Sequence, residues 1–260
     1  MRDVDGTEEM AACQELYADV MGLRIEDGSI NPRLLIALQH NGGYVLGSFL
    51  DGQAVGFAYS FLGCDRSRGG TQSLYQYSQL AVVARSVQGH GIGRLLKLAQ
   101  RQRCLVDGIN RIRWAFDPLR TRNGHFNLDV LGAEVVDFAP SMYGGAGFGA
   151  YAGDVTDRFI VDWSLQPREP VGESKPLPPG RWRGGMSVVD GDDLLVAVPA
   201  RWDQLRVELG SIGAATVRDD LRRAFTRALD SGRVGVSCLA VDDETAVYRF
   251  GRPSARSGTP

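Results

Sequence analysis

The 260-residue sequence lacks any apolar run long enough to cross a membrane as a helix. Its first ten residues, MRDVDGTEEM, carry acidic side chains and no apolar segment, which is not the pattern of a secretory signal peptide. We therefore expect a cytoplasmic location and no association with a membrane.

Cysteine is scarce, and the four residues Cys13, Cys64, Cys104 and Cys238 are scattered without any paired spacing. Disulfide frameworks and zinc sites use regularly spaced cysteines, so this pattern favours free thiols in a reducing cytoplasm. We expect neither a disulfide nor a metal site.

A large excess of charge of either sign is also missing, since the formal net charge is −2. Basic side chains cluster locally, as between residues 111 and 122, but the overall charge gives no reason to expect a nucleic-acid partner. Hydrophobic residues make up 43% and charged residues 23%, as in ordinary soluble globular proteins. The length allows one large domain, or a domain and a half, with an ample core.

The most informative stretch begins at Leu74 and ends with the helix after Gly93. Leu74 to Val83 is rich in Leu, Tyr and Val and predicts a strand. Gln88 to Gly93, QGHGIG, places three glycines within six residues. A strand, a glycine turn and a helix N-terminus together form an anion site, because glycine admits a ligand close to the backbone and the first N–H groups of a helix point at it. Pyrophosphate is the expected guest.

The helix that follows is amphipathic in sequence. Its apolar set is Leu95, Leu96, Leu98, Ala99 and Leu105, and its polar set is Arg94, Lys97, Arg101 and Arg103. We expect the first set to face the core and the second to face solvent.

Two nucleotide-binding motifs do not fit the glycine turn. The dinucleotide motif needs G-x-G-x-x-G with an acid about twenty residues later, and the P-loop needs G-x-x-x-x-G-K-[ST]. The turn instead resembles the acyl-CoA site of the GNAT acyltransferase superfamily, whose signature [Q/R]-x-x-G-x-[G/A] is matched by Gln88 to Gly93 without a gap. Leu80-Ala81-Val82 resembles the strand end that precedes it. The alternative is a plain glycine turn that enters a core helix.

The resemblance implies an α+β (α/β/α-like) GNAT fold, in which helices flank a central mixed, mostly antiparallel, V-splayed sheet. We expect an acyltransferase core at residues 1–165, a proline-rich linker at 166–183, a C-terminal α/β extension packed on the core at 184–252 and a disordered tail at 253–260. The patterns predict helices at 7–22, with Thr7 as the cap, and at 31–38, 91–107, 123–131, 200–209 and 217–229. They predict strands at 43–50, 53–62, 74–83, 110–116, 133–138, 158–165, 194–199, 234–241 and 245–250.

The resemblance also implies how the donor is held. The pantetheine arm would enter a notch between two splayed strands, and the backbone N–H of Val82 or Val83 would polarise the thioester carbonyl. The glycines with Gln88 would hold the pyrophosphate, with added charge from Arg94. The residues assigned to the cofactor are Leu80, Ala81, Val82, Val83, Gln88, Gly89, His90, Gly91, Ile92, Gly93, Arg94 and Asn123.

The usual acid and base of the family are missing from their usual places. Many members carry Glu on the central strand, whereas this strand offers Gln76, Ser78 and Gln79. Many also carry Tyr four residues before the glycine that ends the following helix, and this chain has Leu128 there. Tyr143 is the nearest replacement for the acid, and its alternative role is to anchor a glycine-rich loop.

A dense polar cluster follows the predicted strand at 110–116, in the segment WAFDPLRTRNGHFN. Asp117 and His125 are further candidate catalytic groups, since a histidine titrates near neutral pH. Arg120 or Arg122 would pair with a substrate carboxylate or with the 3′-phosphate of the nucleotide. The alternatives stay open here: solvated surface charges for the arginines and a structural histidine at position 125.

We therefore expect an acyl-CoA-dependent N-acyltransferase that transfers an acetyl or succinyl group directly to the amine of a small, amino-acid-like acceptor. Acetyl-CoA or another acyl-CoA is the expected co-substrate, with no metal. One alternative is a non-catalytic acyl-CoA-binding or regulatory module, and another is a protein-modifying acetyltransferase. Two-fold pairing is common in the family, so a homodimer is compatible with the resemblance, although no residue indicates it.

Overall fold

The structure is a computed structural model that describes residues 1–25, 30–66, 72–144, 155–166 and 187–253. These residues form two compact units. The first contains the described residues of Met1–Trp114, Tyr143–Val155 and Ser164–Gln166, and the second contains those of Ala115–Met142, Thr156–Trp163 and Pro167–Pro260. The second unit joins strands from both sides of the boundary predicted at 165. The predicted linker at 166–183 and tail at 253–260 lie almost wholly outside the described residues, and the predicted domain limits stay a prediction.

The first unit is a five-stranded sheet with three helices. Its elements are β1 (Arg2–Asp3), α1 (Gly6–Met21), α2 (Pro32–His40), β2 (Tyr44–Leu50), β3 (Gln53–Arg66), β4 (Gln72–Val83), α3 (Ile92–Val106) and the first four residues of β5 (Arg111–Phe116). The strand order is β1-β2-β3-β4-β5, with antiparallel neighbours up to β4 and a parallel pair between β4 and β5. The predicted fold class, a mixed and mostly antiparallel sheet flanked by helices, is confirmed.

The core of the first unit lies between the sheet and helices α1 and α2. Met10, Leu35 and Phe57 are fully buried in one cluster that also contains Val82 of β4. Burying each such side chain contributes about 1.5–3 kcal/mol, so this cluster fixes the position of the strand that carries the predicted donor site.

Two helix starts show how far capping could be predicted. Asn31 caps α2, since its side chain accepts a hydrogen bond from the Arg33 N–H at 2.9 Å, and Pro32 follows at the first helical position. The predicted cap at Thr7 is wrong, because α1 begins at Gly6 with Asp5 as the N-cap. The Asp5 N–H is satisfied instead by the Glu9 carboxylate at 2.8 Å.

The second unit is an antiparallel sheet with one long helix. Its elements are the last two residues of β5, α4 (Thr121–His125), a π-helical turn (Phe126–Val130), β6 (Glu134–Ala139), β7 (Arg158–Ser164), β8 (Ser187–Asp190), β9 (Asp193–Pro199), α5 (Trp202–Asp230), β10 (Val234–Ala240) and β11 (Thr245–Gly251). The strand order is β7-β6-β10-β11-β9-β8. Its core is aromatic: the ring of Phe159 lies 4.6 Å from that of Phe225 and 5.2 Å from that of Tyr248.

The predicted helices of the second unit are found with changed limits. The segment α5 consists of two helical stretches joined by a kink at Gly210 (φ 64°, ψ −179°), so the break between the helices predicted at 200–209 and 217–229 is present, although the second stretch begins earlier than predicted. The helix predicted at 123–131 is α-helical to His125 and π-helical beyond it, with the Leu131 N–H bonded to the Phe126 carbonyl at 3.0 Å. The positions of glycines and the side-chain periodicity do not distinguish an α-helical from a π-helical hydrogen-bond pattern.

Within the described residues, no helix is both long and apolar enough to span the hydrocarbon layer of a membrane. The four cysteines are free thiols, and Cys13, Cys104 and Cys238 are buried.

The packing at Gly124 gives a test of the second unit. A β-carbon at this position would lie 2.5 Å from the Tyr248 hydroxyl and 3.0 Å from the Cys238 Sγ. Alanine normally stabilises a helix by about 1 kcal/mol relative to glycine. Here we expect Gly124→Ala to destabilise the protein by about 1–3 kcal/mol, because overpacking forces its neighbours apart, measured by urea unfolding.

The matched control is the double variant with Tyr248→Phe, which removes the nearest clashing atom. We expect the two substitutions to be non-additive, with the second recovering part of the loss caused by the first. A Gly124→Ala protein as stable as the wild type would contradict the packing described here.

Candidate functional site

The glycine turn lies between β4 and α3 in the first unit. A short 3₁₀ turn at Arg85–Val87 leads into it, and Gly91 is the N-cap of α3. Gly89 and Gly91 both have φ 81°, a left-handed conformation that favours glycine. A β-carbon built on either residue would meet no atom within 4 Å, so the surface of the turn is open.

The start of α3 has no side-chain cap. Gly91, the N-cap, has no side chain that could accept a hydrogen bond from the first turn, and its carbonyl accepts the Leu95 N–H at 3.0 Å as the first helical bond. The N–H groups of the first turn therefore point into the open space beside Gly89 and Gly91. Together with the helix dipole, they form a site suited to a phosphate group.

The polar side chains of the turn have different positions. The Gln88 amide donates to the Val83 carbonyl at 3.0 Å, so it ties the turn to the end of β4. His90 is exposed, with Nδ1 3.1 Å from the Gln88 carbonyl. Arg94 is exposed in the first turn of α3 and is available to add positive charge to the anion site. Gly93 and Ile92 are half-buried, and a β-carbon on Gly93 would just touch Val83 at 4.0 Å.

The end of β4 is displaced by a bulge before it reaches the turn. Tyr59 of β3 pairs with Leu80 and Ser60 pairs with Ser78, which leaves Gln79 without an opposite residue. Beyond the bulge, Ala81, Val82 and Val83 continue in register with β3. A bulge re-aims the side chains that follow it, and Val82 is buried in the core as a result.

The other edge of β4 parts from β5 almost at once. Their parallel pairing consists of Gln76 with Ile112 and Tyr77 with Arg113, and no later pair occurs in the part of the chain that the structure describes. The edge of β4 from Ser78 to Val83 is therefore not covered by β5 pairing. This is the splayed arrangement expected from the sequence, and it leads directly to the glycine turn.

Tyr143 lies on one face of this region and belongs to the first unit. It is hydrogen-bonded to Tyr77 of β4 and is close enough to Tyr59 of β3 to act on its titration. Burial, followed by the nearby Tyr143, raises the pKa of Tyr77 above its usual range. Burial also raises the pKa of Tyr59 to about 12. The structure thus brings Tyr143 to the β4 strand, and the residue is 45% exposed.

The polar cluster around Asp117 belongs to the second unit. The Asp117 carboxylate accepts the Leu119 N–H at 2.8 Å, and burial raises its pKa despite nearby arginines. Arg120 forms an ion pair with Asp203. Arg122 and Asn123 are exposed on α4. None of these placements assigns a catalytic or binding role, so those roles stay predictions.

His125 has a partner that sequence reasoning missed. Its Nδ1 lies 3.1 Å from the Asp129 carboxylate, one turn later, and its side chain is 51% exposed. Asp129 is held by the Ser237 hydroxyl at 2.6 Å and by the Cys238 N–H at 2.9 Å. The four-residue spacing of His125 and Asp129 was the available signal, whereas the contacts from β10 come from residues more than one hundred positions away.

The buried face of α3 differs from the predicted one. Leu95, Leu98 and Leu105 are exposed, whereas Lys97 is buried with Leu96, Gln100 and Cys104. The Lys97 ammonium donates to the Ser78 hydroxyl at 2.8 Å and lies 4.0 Å from the ring centroid of Trp114. Burial lowers the pKa of Lys97 to about 7.

The chain is similar to solved structures at low sequence identity. No protein-family model matches the chain, and no curated protein is significantly similar to it. Among solved structures, a GNAT-family acetyltransferase from Desulfovibrio desulfuricans is 17% identical with a TM-score of 0.47, over 64% of this chain and 98% of that one. An N-acetyltransferase from Staphylococcus aureus Mu50 is 16% identical with a TM-score of 0.49, over 64% and 98%.

A third structure, a Salmonella typhimurium protein described as an acetyltransferase with its cofactor acetyl-CoA, is 19% identical with a TM-score of 0.47, over 66% of this chain and 96% of that one. What these proteins bind or modify is a property of those proteins.

The buried Lys97 predicts a pH dependence of stability. Its pKa is about 7 in the folded chain against 10.5 as the ordinary value, so between these values the unfolded chain binds a proton that the native chain does not. Stability should therefore increase with pH across this window, by about 1.4 kcal/mol per pH unit for this one group. The measurement is urea unfolding at pH 7, 8 and 9.

The matched variant is Lys97→Met, which keeps the length of the side chain and removes its charge. The pH dependence is read as the difference between the two proteins, so that other titrating groups cancel. A difference that stays constant from pH 7 to pH 9 would show that Lys97 is not depressed in the native protein.

Proposed function

We propose that this chain is an acyl-CoA-dependent N-acyltransferase that transfers an acyl group directly from the thioester to an amine. The observation that carries the proposal is the open, uncapped turn at Gly89 and Gly91, at the end of a strand that has just parted from its neighbour. Such a turn suits a pyrophosphate, and such a gap suits a narrow, extended arm. Acetyl-CoA or a larger acyl-CoA, such as succinyl-CoA, contains both groups.

Donor binding relies on backbone groups more than on side chains. The N–H groups of the first turn of α3 would bind the pyrophosphate, and the exposed Arg94 would add charge. Gly89 and Gly91 keep the surface clear of β-carbons. The weak demand for particular side chains explains why glycine spacing is the strongest sequence signal of the site.

The transfer step needs a polarised carbonyl and a neutral amine. The amine nitrogen attacks the thioester carbon, the carbon–sulfur bond breaks, and the sulfur leaves with the electron pair. A backbone N–H of Val82 or Val83, at the uncovered edge of β4, would stabilise the negative charge on the carbonyl oxygen. A donor placed in this way is worth about 2.7–4 kcal/mol in comparable sites.

The acceptor is proposed to be a small amine with a carboxylate, such as an amino acid. The exposed guanidinium of Arg122 is the group that we assign to the carboxylate, because Arg120 is already paired with Asp203. His125 and Asp117, which belong to the same unit as Arg122, are kept as proposed proton-transfer groups.

The donor site is tested by melting curves with acetyl-CoA and succinyl-CoA. A ligand that binds only the native chain stabilises it by about 2.7 kcal/mol at a hundredfold excess over its Kd. We expect a clear rise in Tm for the wild type and none for Gly91→Glu, because a carboxylate at the N-cap occupies and repels the anion site.

The matched control is Gly108→Glu at the other end of α3. Gly108 also has a positive φ, 72°, and open space around its β-carbon position, so the substitution carries a similar backbone cost. It should retain the rise in Tm. A wild type that gains no stability from any acyl-CoA would leave the glycine run a structural turn and remove the basis of the proposed function.

The acceptor assignment is tested separately with Arg122→Met. A charge-assisted hydrogen bond contributes about 1.5–3 kcal/mol, so KM for an amino-acid acceptor should rise roughly 10- to 100-fold, with kcat changed little. A simple alkylamine lacking the carboxylate should show no such change. Equal effects on both amines would rule out carboxylate recognition by Arg122.

A further inference from the structure

Lys97 occupies the point at which β4 and β5 separate. The last pairs between the strands are Gln76 with Ile112 and Tyr77 with Arg113, so the next residues along each strand are Ser78 and Trp114. The Lys97 Nζ contacts both of them, at 2.8 Å from the Ser78 Oγ and 4.0 Å from the Trp114 ring centroid. All of these residues belong to the first unit.

Lys97 also lies on the helix that begins at the glycine turn. It is six residues from Gly91, which corresponds to about 9 Å along the axis at 1.5 Å per residue. A ligand that is anchored at the N-cap and extends between β4 and β5 therefore runs toward this ammonium group. Helix α3 therefore carries both the N–H groups at the pyrophosphate end of the proposed donor site and the ammonium group at its other end.

A cation in this position is costly to maintain. Lys97 is 5% exposed, and no carboxylate among the described residues pairs with it. An unpaired buried ammonium is expensive, and a methionine would fill the same space without that cost. Lys97 is one of only two lysines among 29 basic residues in the chain. The presence of a lysine at this costly position is explained if its titratable amine has a function.

The described groups that contact or act on Lys97 are uncharged at neutral pH. The Ser78 hydroxyl donates a hydrogen bond to the Gln100 side-chain carbonyl at 3.1 Å, and the Gln100 amide nitrogen has no partner among the described residues. Cys104 on the same helix is the titratable group that acts on Lys97, and burial raises the pKa of that thiol to about 12. Tyr44 of β2 acts on Cys104 in turn, and burial raises the pKa of its phenol above the usual range. The protonation state of Lys97 is thus free to follow a ligand.

We propose that Lys97 is the proton donor to the thiolate that leaves when the acyl group is transferred. This inference rests on the proposed function. In the step, the amine nitrogen bonds to the acyl carbon and the carbon–sulfur bond breaks with its electron pair going to sulfur. One N–H bond of the Lys97 ammonium then breaks and an S–H bond forms. The surplus proton of the new amide nitrogen passes to water, and solvent reprotonates Lys97 between turnovers.

The acidity of Lys97 favours this role over that of a base. Its pKa of about 7 lies below the value of about 8.5 for an ordinary thiol, so proton transfer to a thiolate is downhill. Taking a proton from an alkylammonium of pKa about 10.4 would be uphill by more than three units. An ordinary phenol, at about 10, is also a weaker acid than the thiol it would have to protonate.

The first experiment titrates the thiol of bound coenzyme A and needs no acceptor. Thiolate absorbance is followed against pH for coenzyme A bound to the wild type, Lys97→Met and the control Arg103→Met, which removes an exposed cation from the same helix. An ammonium near the sulfur stabilises the thiolate, so the bound thiol should titrate lower in the wild type than in Lys97→Met, by less than the roughly 1.5 units that keep proton transfer to the thiolate downhill. Arg103→Met should match the wild type.

The second experiment follows consumption of acetyl-CoA by hydroxylamine, which is a neutral nucleophile at pH 7 and above. The wild-type kcat should fall as pH rises beyond the titration of Lys97. In Lys97→Met, kcat should be on the order of a hundredfold lower at pH 7 and independent of pH, while the Kd for coenzyme A stays the same. In Tyr143→Phe, kcat should still fall as pH rises, whatever the absolute value of kcat.

The outcomes distinguish a failure of the Lys97 assignment from a failure of the proposed acyl-CoA site. If coenzyme A binds but its thiol titrates identically in the wild type and Lys97→Met, or if Lys97→Met keeps the wild-type kcat and pH profile, the assignment of Lys97 is overturned. If none of the proteins binds coenzyme A, the proposed acyl-CoA site itself fails, and the role of Lys97 fails with it.

Discussion

The separation of β4 from β5 is the constraint on which the rest of the first unit depends. Two parallel pairs, at Gln76 and Tyr77, hold the strands together, and the next residue of β4 already bonds to a side chain from α3 instead. Every backbone N–H and carbonyl must find a partner in protein, water or ligand. A sheet that opens in this way offers backbone groups to a ligand, and the glycine turn places a second set of backbone N–H groups at the end of the same strand.

The two faces of β4 carry different chemistry because successive side chains point to opposite sides of a strand. Tyr77 contacts Tyr143 on one face, and Ser78 contacts Lys97 on the other. The first face carries the Tyr77 phenol, whose pKa burial raises above its usual range. The second carries an amine whose pKa lies close to neutrality. The placement that we propose for the leaving sulfur, near the amine, follows from this alternation.

Much of the fold could be predicted from the sequence, because the signals were local. The glycine spacing, the adjacent strands predicted at 43–50 and 53–62 and the Asn31-Pro32 helix start each depend on neighbouring residues, and the structure has the corresponding elements. Lys97 was placed on the wrong face of α3, since periodicity assumes that a charged residue faces solvent. Its burial depends on Ser78 and Trp114, which come from two other strands.

The same limit applies to the second unit. The partners of Asp129 come from β10, more than one hundred residues along the chain, and no local pattern around His125 predicts them. Long-range contacts, rather than propensities, decide these features.

The most direct test of the account is a map of backbone amide shifts by NMR on adding coenzyme A to the labelled protein. The account predicts that the largest changes fall at Val82 and Val83 and in the turn from Gly89 to Leu95, where the N–H groups would contact the ligand. Changes confined to other parts of the chain, or no changes at saturating coenzyme A, would contradict it.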